Sequence, residues 1–318
     1  MTDLPQLYAA LMIVEQSWPS LATVAASVRV GMFDLTDLWN PAAEGACPGQ
    51  LFWAMHMCDG VETGPLNYYG NDALLGEFLA VATGAAPPTF WSECLPREGC
   101  ELCGVGPYRF YAPGDCSCGN PIPATAVGGP FLQLAPLTYL DSSQLPIGSL
   151  SLADSAANML AAQRDWAADQ ALALWGWANH SDAETCNYLS CTMFTPEVVT
   201  PYISGMGLSL TRNGIDASCA ENLFAFEQQG AGAPLDTGTV FHDFGLLDAW
   251  NHLTMSGRND NFLYLDTGWL VLGAINACHG DLVRQRFAAH PVATNGYALL
   301  ASLRIPCPVI LDDGFPPI

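Results

Sequence analysis

Apolar residues recur every three or four positions through most of the chain, the spacing of amphipathic helices, and convincing period-two alternation is scarce. The pattern predicts helices over Leu7–Trp18, Leu21–Val30, Pro65–Thr83, Leu152–Leu174, Val198–Leu210, Ala217–Gln229, Trp269–Ala277 and Gly280–Ala289. Several have Asp, Ser or Thr near the start, where a side-chain oxygen satisfies free amides. Such helices, joined by loops carrying Gly, Pro, Trp and acidic residues, imply an all-α fold, either a solenoid or a closed ring of helical hairpins. No fixed-period repeat is present, which favours the ring. No composition shift or charged linker divides the chain, so residues 1–318 read as a single domain. One stretch departs from the pattern: residues from about 92 to 125 are rich in Gly, Pro and Cys with little periodicity, and read as a loop excursion from the helical body.

Cysteine changes the picture of that excursion. The chain has 12 Cys, an even count, with Cys94, Cys100, Cys103, Cys116 and Cys118 crowded together. Disulfides stapling the excursion are the favoured reading, which implies an oxidising setting: secreted, periplasmic or cell-surface. The C-x-x-C at Cys100 and the C-x-C at Cys116 could instead hold zinc, or stay as free thiols. Pairing does not follow from the sequence.

Charge narrows the partners. Acidic residues number 31 against 9 basic ones, all Arg, for a formal net charge of −22. A cationic groove for nucleic acid is hard to build from so few positive groups, and attraction to anionic lipid is equally poor. No run of apolar residues is long enough to span a membrane. The first basic residue is Arg29, so Met1–Pro19 lacks the basic start of a secretory signal and reads as the beginning of a mature domain. Phosphate-binding loops, H-E-x-x-H and G-x-S-x-G are all absent, and the six His show no helical metal-pair spacing, so no cofactor or metal is expected.

What remains is carboxylates set among aromatics. Trp175-Gly176-Trp177-Ala178-Asn179-His180-Ser181-Asp182-Ala183-Glu184 places two indoles, an amide, an imidazole and two carboxylates in ten residues. Sugar sites use such parts: ring faces stack on pyranose C–H surfaces while amides and carboxylates bond hydroxyls. The same stretch also reads as a polar turn capped by Asp182 with both Trp in the core. Asp248 and Asp266 each stand just before a helical segment, where a helix cap explains a lone Asp better than catalysis does.

Read in order, several motifs resemble the glucoamylase-like family, whose members include endo-β-1,2-glucanases and a domain of cyclic β-1,2-glucan synthases. They are Tyr68–Gly84 with Pro87-Pro88 and Trp91; Gly128-Gly129-Pro130-Phe131 with Pro136 and Asp141; Trp175-Gly176-Trp177 with Asp182; Val199–Ser204; Gly245–Asn251; and Asp266-Thr267-Gly268-Trp269 with Ala274-Ile275-Asn276, leading into Leu282–Pro291. The resemblance implies an (α/α)6 barrel, hydrolysis of a β-linked glucan with β-1,2 linkage favoured, an oligo- or polysaccharide partner, and carboxylate catalysis without a cofactor. By the same resemblance Asp182 or Glu184 would be the general acid, and Asp72 or Asp266 would activate or position water. Trp175, Trp177, Tyr68, Tyr69 and Trp250 would line the subsites, with Asn179, His180 and Asp248 as polar contacts. The chain also departs from the family: Asp72 and Leu74 stand where Glu and Arg are usual, Asp-Gln-Gly-Pro becomes Asp266-Thr267-Gly268-Trp269, and Ile-Glu-Asn becomes Ala274-Ile275-Asn276. The alternative is therefore a non-catalytic extracellular protein on the same barrel, binding sugar or self-assembling.

Overall fold

The helical periodicity is realised in a computed structural model that describes residues 3–32, 35, 39–40, 50–52, 65–66, 74–93, 102–111, 122–123, 129–145, 150–181, 188–189, 194–230, 241–242, 245–246, 248–253, 256–257 and 264–303. Its helices are α1 (Asp3–Ser17), α2 (Pro19–Met32), α3 (Leu74–Thr83), α4 (Thr89–Glu93), α5 (Phe131–Leu137), α6 (Leu152–Asp169), α7 (Pro201–Gly207), α8 (Ile215–Gly230), α9 (Tyr264–Cys278), α10 (Leu282–Ala288) and α11 (Pro291–Leu300). The strands are short: β1 (Trp39–Asn40), β2 (Gln50–Phe52), β3 (Pro65–Leu66), β4 (Leu102–Val105), β5 (Tyr108–Tyr111), β6 (His180–Ser181), β7 (Tyr188–Leu189), β8 (Val198–Val199), β9 (Phe241–His242), β10 (Gly245–Leu246), β11 (Trp250–Asn251) and β12 (Ser256–Gly257). Helices hold most of the described residues, so the fold is all-α. Among the described residues no helix is long and apolar enough to cross a membrane.

Boundaries differ from the periodicity for local reasons. The helix expected to run to Leu174 stops at Asp169, because Ala171 turns left-handed (φ 54°) and the Leu172 amide reaches back to the Ala167 carbonyl, the closing bond of a Schellman motif. The start of the expected Pro65–Thr83 helix is instead β3, paired with β2. Gly280 and Asp281, both at positive φ, separate α9 from α10. The Cys-rich excursion contains a hairpin that lacked a visible alternation: β4 pairs with β5 across Gly106-Pro107. Cys103 and Phe110 of that hairpin pack with Met159 and Ala162 of α6, and Tyr108 Oη donates to Asp165 at 2.5 Å. Cys103 is disulfide-bonded, and the other cysteines of the Cys94–Cys118 group lie outside the described residues. Cys219 and Cys278 are free thiols, so the even count of cysteines does not mean that all of them pair.

The chain forms two compact units, each assembled from separated stretches. The first comprises residues 1–101, 139–152 and 282–311. Its centre is α3, whose residues Leu74–Ala82 are all buried; they are apolar except for Glu77 and the small Gly76. Phe78 of α3 meets Tyr297 of α11 at 4.9 Å and Phe287 of α10 at 5.9 Å between ring centroids. Gly296 makes that approach possible, since a Cβ there would lie 2.7 Å from Phe78 Cζ and 2.8 Å from Ala82 Cβ. The second unit comprises residues 102–138, 153–281 and 312–318. In it α5 and α7 are buried throughout, and α7 packs against α5, α8 and α9. A three-stranded sheet in the order β12-β11-β8 leads directly into α7.

Candidate functional site

The segment after α6 runs through the second unit and is held by its own backbone. Gln163 of α6 accepts from the Trp177 amide at 2.9 Å and donates to the Trp177 carbonyl at 2.9 Å, and also to the Pro123 carbonyl. Asn222 of α8 accepts from the Trp175 amide at 3.3 Å and donates to its carbonyl at 2.8 Å and to Ser204 Oγ at 2.8 Å. Gly176, at φ 114°, gives its carbonyl to both the amide and the hydroxyl of Thr200. That left-handed turn excludes a side chain without strain. Polar side chains on inward helix faces thus satisfy an irregular buried strand that has no ladder of its own.

Each of these anchors is worth about 1 kcal/mol net, and a donor or acceptor left unpaired costs a further 1–3 kcal/mol. Gln163→Leu is therefore expected to destabilise the fold by about 3 kcal/mol. Denaturant unfolding followed by Trp fluorescence measures it, and a loss below about 1 kcal/mol would contradict the anchoring role.

Within this frame the sequence-selected residues take definite places. Trp177 is 1% exposed and Trp250 0%, so both rings are packed inside protein. Trp177 meets Trp166 edge-on at 5.1 Å and donates its indole N–H to the Thr195 carbonyl. Trp175 is also buried. Trp250 sits on β11 opposite Val199 of β8 and Gly257 of β12. Asn179 accepts the Tyr202 hydroxyl on its main-chain carbonyl at 2.7 Å, while its side-chain oxygen is buried with no partner among the described residues. His180 stacks on Phe194. Its Nδ1 lies 3.1 Å from the Ala178 carbonyl, and since a carbonyl only accepts, Nδ1 carries a proton.

Two carboxylates of the set are buried in the same unit, Asp248 at 3% and Asp266 at 1% exposure. Asp266 lies in the first turn of α9, where the positive end of the helix dipole favours a negative group. One turn on, Trp269 meets Phe131 edge-on at 6.1 Å, and Phe131 meets Tyr202 in the same way. This aromatic chain runs from α9 through α5 and α7 to the carbonyl of Asn179. Asn276, from the motif in which Glu is replaced, donates to the Thr138 carbonyl at 2.9 Å and serves packing.

Other selected residues fall outside the described set. The chain is described up to Ser181 of β6 and again from Tyr188 of β7, which pairs with it, so Asp182 and Glu184 belong to the undescribed connection. Tyr68, Tyr69 and Asp72 are likewise outside the described residues. Sequence reasoning passed over Gln163 and Asn222 and took Tyr202 only as part of the Val199–Ser204 motif, although all three position the Trp175–His180 segment. A signal existed for the first two, as polar residues on the inward faces of amphipathic helices.

Comparison with known proteins adds the frame for these parts. No family model matches the chain, and no curated protein matches it. Solved structures do. A candidate glucoamylase from Bacteroides uniformis is 17% identical with a TM-score of 0.66, over 92% of this chain and 69% of its own. The endo-β-1,2-glucanase of Chitinophaga pinensis, solved with sophorotriose and glucose, is 13% identical with a TM-score of 0.68 over the same shares, 92% and 69%. A β-1,2-glucanase from Parabacteroides distasonis is 12% identical with a TM-score of 0.67, over 94% of this chain and 44% of its own. At these identities the likeness concerns the fold, and it agrees with the motif order read from the sequence: the chain is similar to the glucoamylase-like proteins and endo-β-1,2-glucanases and has their fold.

Proposed function

We propose that the chain is a secreted, periplasmic or cell-surface glycoside hydrolase built on an (α/α)6 barrel, cleaving a β-linked glucan, with β-1,2 linkage favoured. The observation that carries this reading is the fold shared over 92% of the chain with an endo-β-1,2-glucanase solved with sophorotriose and glucose. The anchored Trp175–His180 segment supports it, because it brings the chain to the Asp182–Glu184 connection from a rigid base, as a site needs. Asp182 or Glu184 is the general acid; Asp72 or Asp266 activates or positions the water. Glycosidic cleavage asks one carboxyl to be protonated and another ionised, about 6.5–9.5 Å apart when water attacks directly. Asn179, Asp248 and His180 are assigned to polar contacts with the sugar. Disulfides within Cys94–Cys118 staple the excursion.

A second reading has its own observation. The buried rings of Trp177 and Trp250 offer no free face for stacking, and Asn276 is committed to Thr138, which favours a non-catalytic protein that binds sugar elsewhere or self-assembles. Reducing-sugar release from β-1,2-, β-1,3-, β-1,4- and α-1,4-glucans separates the two. Release confined to a β-glucan supports the hydrolase and names its linkage. Silence across the panel from protein shown to be folded overturns it.

A further inference from the structure

We infer that His290 is an acid-sensitive latch on α11: a proton taken by its Nδ1 removes the cap of that helix and loosens α11 from α3. The inference stands on the hydrogen-bonding pattern in the first unit and is independent of the proposed function. His290 is the N-cap of α11, and its Nδ1 accepts the Val292 amide at 3.2 Å. Its Nε2 lies 3.1 Å from Glu15 Oε2. A backbone N–H only donates and a carboxylate only accepts, so Nδ1 holds the lone pair and Nε2 the hydrogen. The ring is thereby held as one neutral tautomer, and the only place for a second proton is the capping atom. Once protonated, Nδ1–H faces the Val292 N–H, donor against donor, and the helix start loses its cap.

The surroundings make that proton costly without forbidding it. His290 is 4% exposed. From α1 it faces Glu15, and from α2 comes Arg29, which bonds both Glu15 and Tyr8 of α1. The Arg29 guanidinium holds Glu15 through Nε at 2.6 Å and Nη2 at 3.3 Å, and donates through Nη1 to Tyr8 Oη at 2.7 Å. Glu15 is therefore already compensated. The other titratable groups on the helices packed here are Glu77 of α3, Arg284 and Arg286 of α10, and Tyr297 of α11. Arg286 donates to the Gln16 carbonyl, and Tyr297 Oη accepts the Asp141 amide. Burial, with the Arg29 charge adding to it, holds His290 below its ordinary value of 6.5 against the opposing pull of Glu15.

The sign follows from linkage. Because the folded-state value is lowered, the unfolded chain takes the proton more readily. Folding stability is then full above the ordinary histidine value and falls as pH drops below it, by at most about tenfold per pH unit. Glu15 acts in a different window. Burial pushes its carboxyl up, but bonds from Arg29 and His290 outweigh this and hold it below 4.5, so its contribution is lost only in stronger acid. The latch matters to α3 because α11 is its direct support: Asn295 Nδ2 donates to the Ala82 carbonyl at 2.9 Å, beside the Phe78–Tyr297 ring contact. In sequence α3 begins two residues after Asp72.

Amide hydrogen exchange on the full chain, corrected for intrinsic rates, tests the latch. Protection of Val292 and Thr294 is expected to fall several-fold, and up to about tenfold per pH unit, between about pH 6.5 and pH 5. In His290→Asn, which caps without titrating, protection should stay level across that range. An equal fall in His290→Asn, or level protection in the unaltered chain, would overturn the proposal. If His290→Asn does not fold, imidazole 15N spectra of the unaltered chain decide the matter. An Nε2–H tautomer near neutral pH is expected, and Nδ1–H refutes the latch.

Discussion

Gly273→Val is expected to destabilise the protein by about 3 kcal/mol or more, a large share of the roughly 5–15 kcal/mol that holds a domain folded. The reason is a backbone-to-backbone approach between α7 and α9. A Cβ on Gly273 would sit 2.7 Å from Met206 Cα and 2.8 Å from the Gly205 carbonyl carbon, with the Gly205 oxygen nearer still. The reverse contact is equally tight, since a Cβ on Gly205 would lie 2.8 Å from Leu270 Cα. Backbone atoms cannot rotate aside, so the two helices would have to separate and unpack along their length. Helix propensity works the other way by about 1 kcal/mol for Gly→Ala, which provides an internal control. At Gly268, on the same helix, nothing lies within 4 Å of an added Cβ, so Gly268→Ala should be neutral or stabilising by up to about 1 kcal/mol. Unfolding midpoints of the two variants, read beside Gly273→Ala, measure the contrast. Equal behaviour at both positions would mean that α7 and α9 are not held this closely.

Changing Asp182→Asn together with Glu184→Gln should lower glucan cleavage by about 10²–10⁴-fold, the usual contribution of a positioned acid or base. The unfolding midpoint should hardly move, because isosteric amides keep size and polarity while removing the transferable proton. Single variants show which carboxyl is the acid, and Asp266→Asn tests the water-positioning role assigned to the carboxylate at the start of α9. A double variant with full activity on the glucan would remove this acid assignment while leaving the fold likeness intact. Loss of activity with a collapsed midpoint would instead assign the pair to structure, the turn-capping role that the sequence equally allows.

The helical class was legible because helix formation depends on residues three and four positions apart, and the chain repeats its apolar residues at that spacing. The expected helices that begin at Leu7, Leu21, Ala217 and Trp269 coincide with α1, α2, α8 and α9, with ends displaced by a few residues. The β4–β5 hairpin escaped notice because its stability comes from α6 beneath it, through Cys103 and Phe110 on Met159 and Ala162, and not from alternation within the strands. α11 was missed for a related reason. Its Pro291 and Gly296 weaken the periodic signal, yet Pro suits a first turn, and Gly296 is the point where α11 meets α3.

The candidate site divides in the same way. The sequence by itself determined the residue types available for chemistry, namely carboxylates and indoles in the Trp175–Glu184 stretch, no lysine anywhere, and a motif order resembling one family. Those properties are local or compositional. It could not determine which of these side chains face a ligand, because exposure is set by partners far away in the chain. Gln163 reaches forward 14 residues to Trp177, Asn222 reaches back 47 to Trp175, and Asn276 crosses 138 to Thr138. Only the tertiary structure decided that Trp177 and Trp250 are packed inside, that Asp248 and Asp266 are buried in one unit, and that His290 is held as a single tautomer between α1 and α11. Burial and hydrogen-bond satisfaction belong to the assembled chain, since each depends on which groups arrive together to exclude water.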